Sequence, residues 1–158
     1  MTAKIGIIGH GFVGSAVANG FKRDVNKLIV DPLLTNITLD VLVNDFDAEA
    51  VFVCVPTPEL DNGDVDVRIA SEVLCELSDL NYQGIVIIKS TITPLHLTTF
   101  RDNHSNLRIV YNPEFLTEAN SLQDFLNPNM QILGGDWTDC EYVERLYVNH
   151  SNVRVVPT

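Results

Sequence analysis

A doubly wound α/β domain with a mostly parallel sheet of six to seven strands is predicted by three features of this chain. Short runs rich in Ile and Val alternate with helix-patterned segments along the whole length, the order that yields parallel strands joined by crossover helices. The strand runs are apolar at nearly every position rather than every second one, as burial on both faces requires. The first run, Lys4-Ile5-Gly6-Ile7-Ile8, opens directly into Gly9-His10-Gly11-Phe12-Val13-Gly14, a G-x-G-x-x-G turn between a strand and a helix.

Taken in order, the elements fall as follows. The strand over 4–9 and the helix over 12–22 flank the glycine turn. The run Lys27-Leu28-Ile29-Val30-Asp31 reads as a short strand ending in an acid, and 38–44 reads as a short helix. A strand over 50–55 leads into the irregular stretch 56–64, the longest one beside the carboxyl ends of the strands. The helix over 67–80 has the clearest signal: Asp66 can cap it, Ile69, Val73, Leu74 and Leu77 repeat at helical spacing, and Gly84 follows its end. A strand over 84–90 precedes Thr93, an N-cap residue, and Pro94, which suits the first position of a helix over 94–103. Strands over 107–111, 130–134 and 153–156 and helices over 114–125 and 139–149 complete the pattern. No repeat, low-complexity tract or linker interrupts it, so residues 1–158 read as one domain, long enough to bury about two-thirds of its unfolded surface.

Composition narrows the function classes. The chain is 46% hydrophobic, with a net charge of −11, a sequence pI near 4.5 and a mean hydropathy of +0.12. Such acidity argues against binding a nucleic-acid backbone or an anionic membrane through bulk electrostatics. No run approaches the ~18 apolar residues of a membrane span, and Met1-Thr2-Ala3-Lys4 lacks the features of a signal peptide, so a cytoplasmic protein is expected. Cys54, Cys75 and Cys140 have no CxxC spacing. Cys54 lies in an apolar strand and Cys75 in a helical stripe, so both read as reduced core residues. His10, His96, His104 and His150 show no ligand spacing, and no metal site is expected.

The chemistry should stand at the carboxyl ends of the strands, where open α/β sheets bind ligands. Gly9 permits the tight turn, Gly11 lets phosphates approach the backbone, and Gly14 lets the helix pack close to the strand. The unpaired amides at that helix start sit at the positive end of the macrodipole and favour an anion. Asp31 stands 22 positions after Gly9, near the roughly 20 expected of the acid that binds an adenosine ribose. A carboxylate there accepts from two hydroxyls and repels a 2′-phosphate. With Pro32-Leu33-Leu34 following, and no Arg or Lys, NAD is favoured over NADP. At the third strand end Pro56-Thr57-Pro58 forms a stiff turn that offers the Thr57 hydroxyl, or serves only as a rigid loop. At the fourth, Thr93 is taken as the cap, which leaves Thr91 as the surplus hydroxyl. At the fifth, Glu114 and Glu118 are four apart and share a face if helical. Like charges at that spacing repel, although closeness to a helix start offsets part of the cost.

In this order, Gly9-His10-Gly11-Phe12-Val13-Gly14, Val55-Pro56-Thr57-Pro58, Lys89-Ser90-Thr91-Ile92-Thr93-Pro94, Asn112-Pro113-Glu114-Phe115-Leu116-Thr117-Glu118-Ala119 and the run 128–135 (PNMQILGG) resemble the N-terminal Rossmann domain of the nucleotide-sugar dehydrogenases, typified by UDP-glucose 6-dehydrogenase and GDP-mannose dehydrogenase. The resemblance covers essentially the whole chain. It implies oxidation of a sugar primary alcohol to a carboxylate in two NAD-dependent steps, through a cysteine thiohemiacetal and a thioester. It further implies that Gly9, Gly11, Phe12, Val13 and Gly14 hold the pyrophosphate and Asp31 the ribose. Thr57 would contact the cofactor near its nicotinamide half. Thr91 would hold a catalytic water or the reacting oxygen. Glu114 would act in acid/base chemistry at thioester hydrolysis, Glu118 would pack by the nicotinamide, and the Phe115-Leu116 backbone would touch the nucleotide sugar.

The family's nucleophile lies in a G-G-S-C-F-P-K-D type segment of a later domain, and neither that segment nor the family's Lys and Asn on the central helix occurs in this sequence. The resemblance therefore implies a chain that binds NAD and turns over no sugar alone, cut from a longer protein or naturally short. It implies a monomer or weak dimer, since relatives pair through the central helix. Thr117 stands where the family often has a basic residue, which weakens the expected hold on a nucleotide sugar. Two other readings stand beside this one: a stand-alone NAD-binding or regulatory module, and the cofactor domain of a hydroxyacid dehydrogenase of the 6-phosphogluconate type. The first has no need of both glutamates, and the second fits N-P-E-F-L-x-E poorly.

Overall fold

The computed structural model describes residues 2–150. Five strands, β1 (Lys4–Ile8), β2 (Asn26–Val30), β3 (Ala50–Val53), β4 (Ile85–Ile88) and β5 (Arg108–Tyr111), form one sheet in the order β2-β1-β3-β4-β5. Every pairing is parallel. The α/β, doubly wound Rossmann architecture read from the sequence is the architecture observed.

Helices cover both faces, and the strands are apolar on both sides for that reason. Ile5, Ile7, Phe52, Ile85 and Ile87 point to one face, where α1 (Phe12–Gly20), α4 (Ser121–Leu126) and α5 (Trp137–His150) pack with Val17, Phe125 and Tyr147. Rings of Phe21, Phe52, Phe125 and Tyr147 meet there at centroid separations from 5.4 to 6.2 Å. The alternate residues Ile8, Val51, Val53, Val86 and Ile88 face the other side, against Leu74 and Leu77 of α2 (Arg68–Asp79), Phe100 of α3 (Pro94–Asn103) and Leu42. Thr93 caps α3 as expected, its hydroxyl accepting from His96 N at 3.3 Å with Pro94 in the first turn.

The structure refines or departs from the sequence pattern at several segments. The stretch 130–134 is not a strand: only Gly134 joins the sheet, as an isolated antiparallel bridge to Tyr111. Before that bridge, Ile132 O is taken by a side chain, accepting from Asn112 Nδ2 at 2.8 Å, while Gly134 O accepts from both Tyr111 N in the bridge and Arg101, each at 2.8 Å. The sheet therefore has five strands among the described residues, and the stretch 153–156 lies outside them. The helix expected over 38–44 is present: it opens as an α-helical turn, Leu42 N donating to Thr38 O at 3.2 Å, and continues as a π-helical turn, Val41–Asp45. The helix expected from 114 begins only with a 3₁₀ turn at Glu118–Asn120, followed by α4. Carboxylates hold 114–117 out of the helix, Glu114 accepting from Leu116 N at 2.8 Å and Asp124 from Thr117 N at 2.9 Å. Finally, Cys75 is exposed on α2 rather than part of the core, its Sγ 3.9 Å from His104 Nε2.

The topology places the site. After β2 the chain returns to the opposite side of β1 to form β3, so consecutive connections leave β1 in opposite directions. A crevice opens between them at their carboxyl ends, as such switch points require.

Candidate functional site

Each glycine of the turn after β1 has a geometric reason. Gly9 sits at φ +87°, where a side chain is strained. A Cβ on Gly14 would stand 2.0 Å from Gly9 O, so α1 lies directly on the turn. A Cβ on Gly11 would meet nothing within 4 Å, because the residue faces the open crevice. Gly11 is also the N-cap of α1, and no side chain caps that end; the first helical bond runs from Ser15 N to Gly11 O at 2.9 Å. The backbone amides before it are thus directed at whatever enters, with no acid in the first turn to compete.

Asp31 ties the end of β2 to this loop. Its Oδ2 accepts from His10 N at 2.8 Å and its Oδ1 from Leu33 N at 2.9 Å. These amide bonds, from His10 first, hold its carboxyl below the ordinary carboxylate range, so it is ionised at neutral pH. A carboxylate has about four acceptor sites, and these two bonds leave room for ribose hydroxyls. Nδ1 of His10 is buried in this region and has no partner among the described residues.

The crevice has a volume of about 630 Å³. Its walls bring together Gly9, Gly11, Phe12, Val13, Asp31, Thr57, Thr91 and Glu114, residues from five separate strand ends and turns. Gly14 lies beneath the turn and shapes it from below. Ser90 is withdrawn from the crevice chemistry, its Oγ donating to Val55 O at 2.7 Å, whereas Thr91 is exposed on the wall. Cys54 lies under the floor, 8% exposed, and burial pushes its thiol up to about 12. It is a core residue in this position and a poor nucleophile.

A second cavity of about 280 Å³ adjoins the first and is lined by Phe115, Leu116, Thr117 and the 127–131 segment. Two residues are common to both cavities, Lys89 and Glu114. Glu118 lines neither; it is exposed on the 3₁₀ turn, so the two glutamates do not share a helical face.

Lys89 stands in the Lys89-Ser90-Thr91 motif without a role legible from its position in the sequence. The side chain is 2% exposed, and its Nζ donates to Asn112 O and Asn112 Oδ1, both at 3.2 Å. Burial lowers it to about 8, with Cys54 and Glu114 acting in the opposite sense. Asn112, fully buried, also accepts from Tyr147 Oη at 2.8 Å and donates to Gln131 Oε1 at 3.0 Å. The signal was a charged residue closing the two-face apolar run Ile85-Val86-Ile87-Ile88, where a lysine stays only with built acceptors.

Residues 34–151 match a model described as UDP-glucose/GDP-mannose dehydrogenase family, NAD binding domain. The chain belongs to this family. The chain is 29% identical over 116 residues to the UDP-glucose 6-dehydrogenase of Rickettsia felis, a match that covers 70% of this chain and 25% of that protein. It thus spans about a quarter of the length of the curated relatives it matches. A solved UDP-glucose dehydrogenase from Pyrobaculum islandicum superposes with a TM-score of 0.73 at 19% identity, over 99% of this chain and 46% of that one. A ternary complex of GDP-mannose dehydrogenase from Pseudomonas aeruginosa gives 0.68 at 22% identity, over 91% and 44%. At these identities the structures establish the fold. Within the UDP-glucose/GDP-mannose dehydrogenase family this chain is the NAD-binding domain, and its cofactor is NAD. The open cradle at Gly11, the uncapped start of α1 and the buried unpartnered His10 Nδ1 suit a dinucleotide.

Proposed function

We propose that residues 1–158 form one domain that holds NAD across the β1–β3 switch point and supplies the cofactor half of a nucleotide-sugar 6-dehydrogenase. The observation that carries the reading is the convergence of glycine turn, Asp31, Thr57, Thr91 and Glu114 on one crevice wall, with a second cavity beginning at Glu114. In this reading the α1 amides, with Gly9, Gly11, Phe12, Val13 and Gly14 around them, bind the pyrophosphate. Asp31 takes the adenosine ribose, and Thr57 and Thr91 stand toward the nicotinamide half. The 280 Å³ cavity, with Phe115 and Leu116, receives part of the nucleotide sugar.

Bound in this way, the nicotinamide supplies the hydride acceptor for alcohol oxidation. Thr91 holds the reacting oxygen or a water by hydrogen bond. Glu114, oriented by the Leu116 amide, acts in acid/base chemistry where the two cavities meet. Glu118 keeps the nicotinamide-side role that family resemblance gives it, from an exposed position outside both linings. Covalent catalysis needs a thiolate, and Cys54 is buried while Cys75 and Cys140 sit on α2 and α5. Turnover in this reading therefore needs a nucleophile beyond those lining the crevice. The acidic surface and three free thiols fit a reduced, cytoplasmic monomer or weak dimer that leaves nucleic acid unbound. No helix among the described residues is long and apolar enough to cross a membrane.

Calorimetric titration with NAD tests the reading: the wild type binds one equivalent, and Asp31→Ala weakens binding at least about tenfold, the loss of one charge-assisted bond or more. Unchanged affinity in Asp31→Ala would remove the ribose role. In an assay with UDP-glucose or GDP-mannose plus NAD, sustained NADH production by this polypeptide would contradict the need for an outside nucleophile.

A further inference from the structure

Among the described residues Lys89 is the only lysine or arginine lining either cavity, and with Glu114 it belongs to both. Two of its three ammonium donors go to Asn112, and the aromatic ring of Phe125 lies 5.8 Å from Nζ on the helix side. The titratable groups facing it come from three elements. Cys54, after β3, is a thiol kept neutral by burial. Tyr147, on α5, is a phenol that burial holds protonated and that donates to the same Asn112 oxygen. Glu114, after β5, is the carboxylate whose charge favours the ammonium. The lysine therefore has one carboxylate neighbour, and its burial weakens screening of its charge.

We propose that Lys89 sets the redox-state preference of the cofactor site: its buried ammonium opposes the cationic nicotinamide of NAD+ and tolerates the neutral ring of NADH, so that NAD+ binding expels one proton from Lys89 to solvent. The inference rests on the crevice being the NAD site, with the nicotinamide at the Thr91–Glu114 end. The charge balance is simple. A cationic ring enters beside Glu114, the N–H bond of one ammonium proton breaks, the proton goes to buffer, and the neutral amine keeps two N–H donors for the Asn112 oxygens. The positive ring replaces the ammonium as the cation near Glu114. NADH brings no such charge and leaves the ammonium in place. With the lysine held near 8, the proton is removable at modest cost.

The test is calorimetry of NAD+ and NADH in buffers of differing ionisation enthalpy, from pH 6.5 to 9.5, on wild type, Lys89→Met and Lys89→Arg. In the wild type, NAD+ binding releases roughly half a proton or more at pH 7, and its affinity rises about tenfold by pH 9.5 as the competent neutral form becomes populated. NADH releases none and keeps a level affinity. Lys89→Met binds NAD+ tightly with no slope, and Lys89→Arg binds it weakly with no slope, because the guanidinium stays charged. NADH binding reports whether each variant folds, and if Lys89→Met does not fold, the wild type and Lys89→Arg decide. Equal pH slopes for NAD+ and NADH, or a slope retained without the lysine, overturns the proposal while leaving the crevice as the cofactor site. Failure of both cofactors to bind the folded wild type overturns the site itself.

Discussion

Two alanine substitutions three residues apart separate ligand binding from folding. Gly11 has φ −70°, which any residue adopts, and a Cβ there meets nothing within 4 Å. Gly11→Ala loses up to about 1 kcal/mol at the N-cap and regains about 0.4–1 kcal/mol by restricting the unfolded chain, so stability moves by less than about 1 kcal/mol. Its methyl, however, would stand in the open space where the proposed pyrophosphate approaches the α1 amides. Loss of one hydrogen bond to a charged group costs about 1.5–3 kcal/mol, or roughly ten- to hundredfold in NAD affinity. Gly14→Ala is the converse. Its Cβ would lie 2.0 Å from Gly9 O and 3.0 Å from Gly9 C, backbone atoms that cannot swing aside. Overpacking of this kind costs about 3 kcal/mol, which in a domain of this size lowers Tm by roughly 6–12 °C. Thermal melts without ligand, paired with calorimetric NAD titration, read both effects. The reasoning is refuted if Gly11→Ala binds NAD like the wild type, or if Gly14→Ala melts at the wild-type temperature.

Three further outcomes concern individual side chains. Asn112→Ala withdraws an acceptor from Lys89 and Tyr147 and the donors to Gln131 and Ile132. It should destabilise the fold by about 3 kcal/mol in urea titration, and a loss below about 1 kcal/mol would contradict the network. Native thiol labelling should modify Cys75 rapidly and Cys54 only on unfolding, since burial pushes Cys54 up to about 12; early labelling of Cys54 would show that the crevice floor opens. Asp31 is depressed in the folded state from an ordinary 3.8, so its stabilising contribution is present above that value and fades as pH falls through the folded one. The stability gap between wild type and Asp31→Asn should be level above about pH 5 and shrink below about pH 4, and a gap that widens in acid would reverse the sign.

Much of the fold was legible because strand burial leaves a local trace. Ile85-Val86-Ile87-Ile88 is apolar at every position since α5 and α2 cover opposite faces, and the Thr93-Pro94 pair writes the start of α3 into two residues. The misread segments depend on distant partners. Met130-Gln131-Ile132-Leu133-Gly134 has strand composition, yet Asn112 claims the Ile132 carbonyl and only Gly134 reaches the sheet. Glu114 and Glu118 have helical spacing, yet Asp124, seven residues beyond Thr117, pins the turn open. The glycine turn, Asp31, Thr57, Thr91 and Glu114 were each readable from position after a strand. The place of Lys89 between two cavities was not, because it is a property of the assembled sheet.

The most direct test of the account is a paired calorimetric titration of the wild-type chain with NAD and with NADP at pH 7.5. The account predicts saturable NAD binding at one site per chain and NADP binding weaker by at least about tenfold, since the ionised Asp31 carboxylate repels a 2′-phosphate. Equal affinity for the two, or no heat with either on a folded sample, would contradict it.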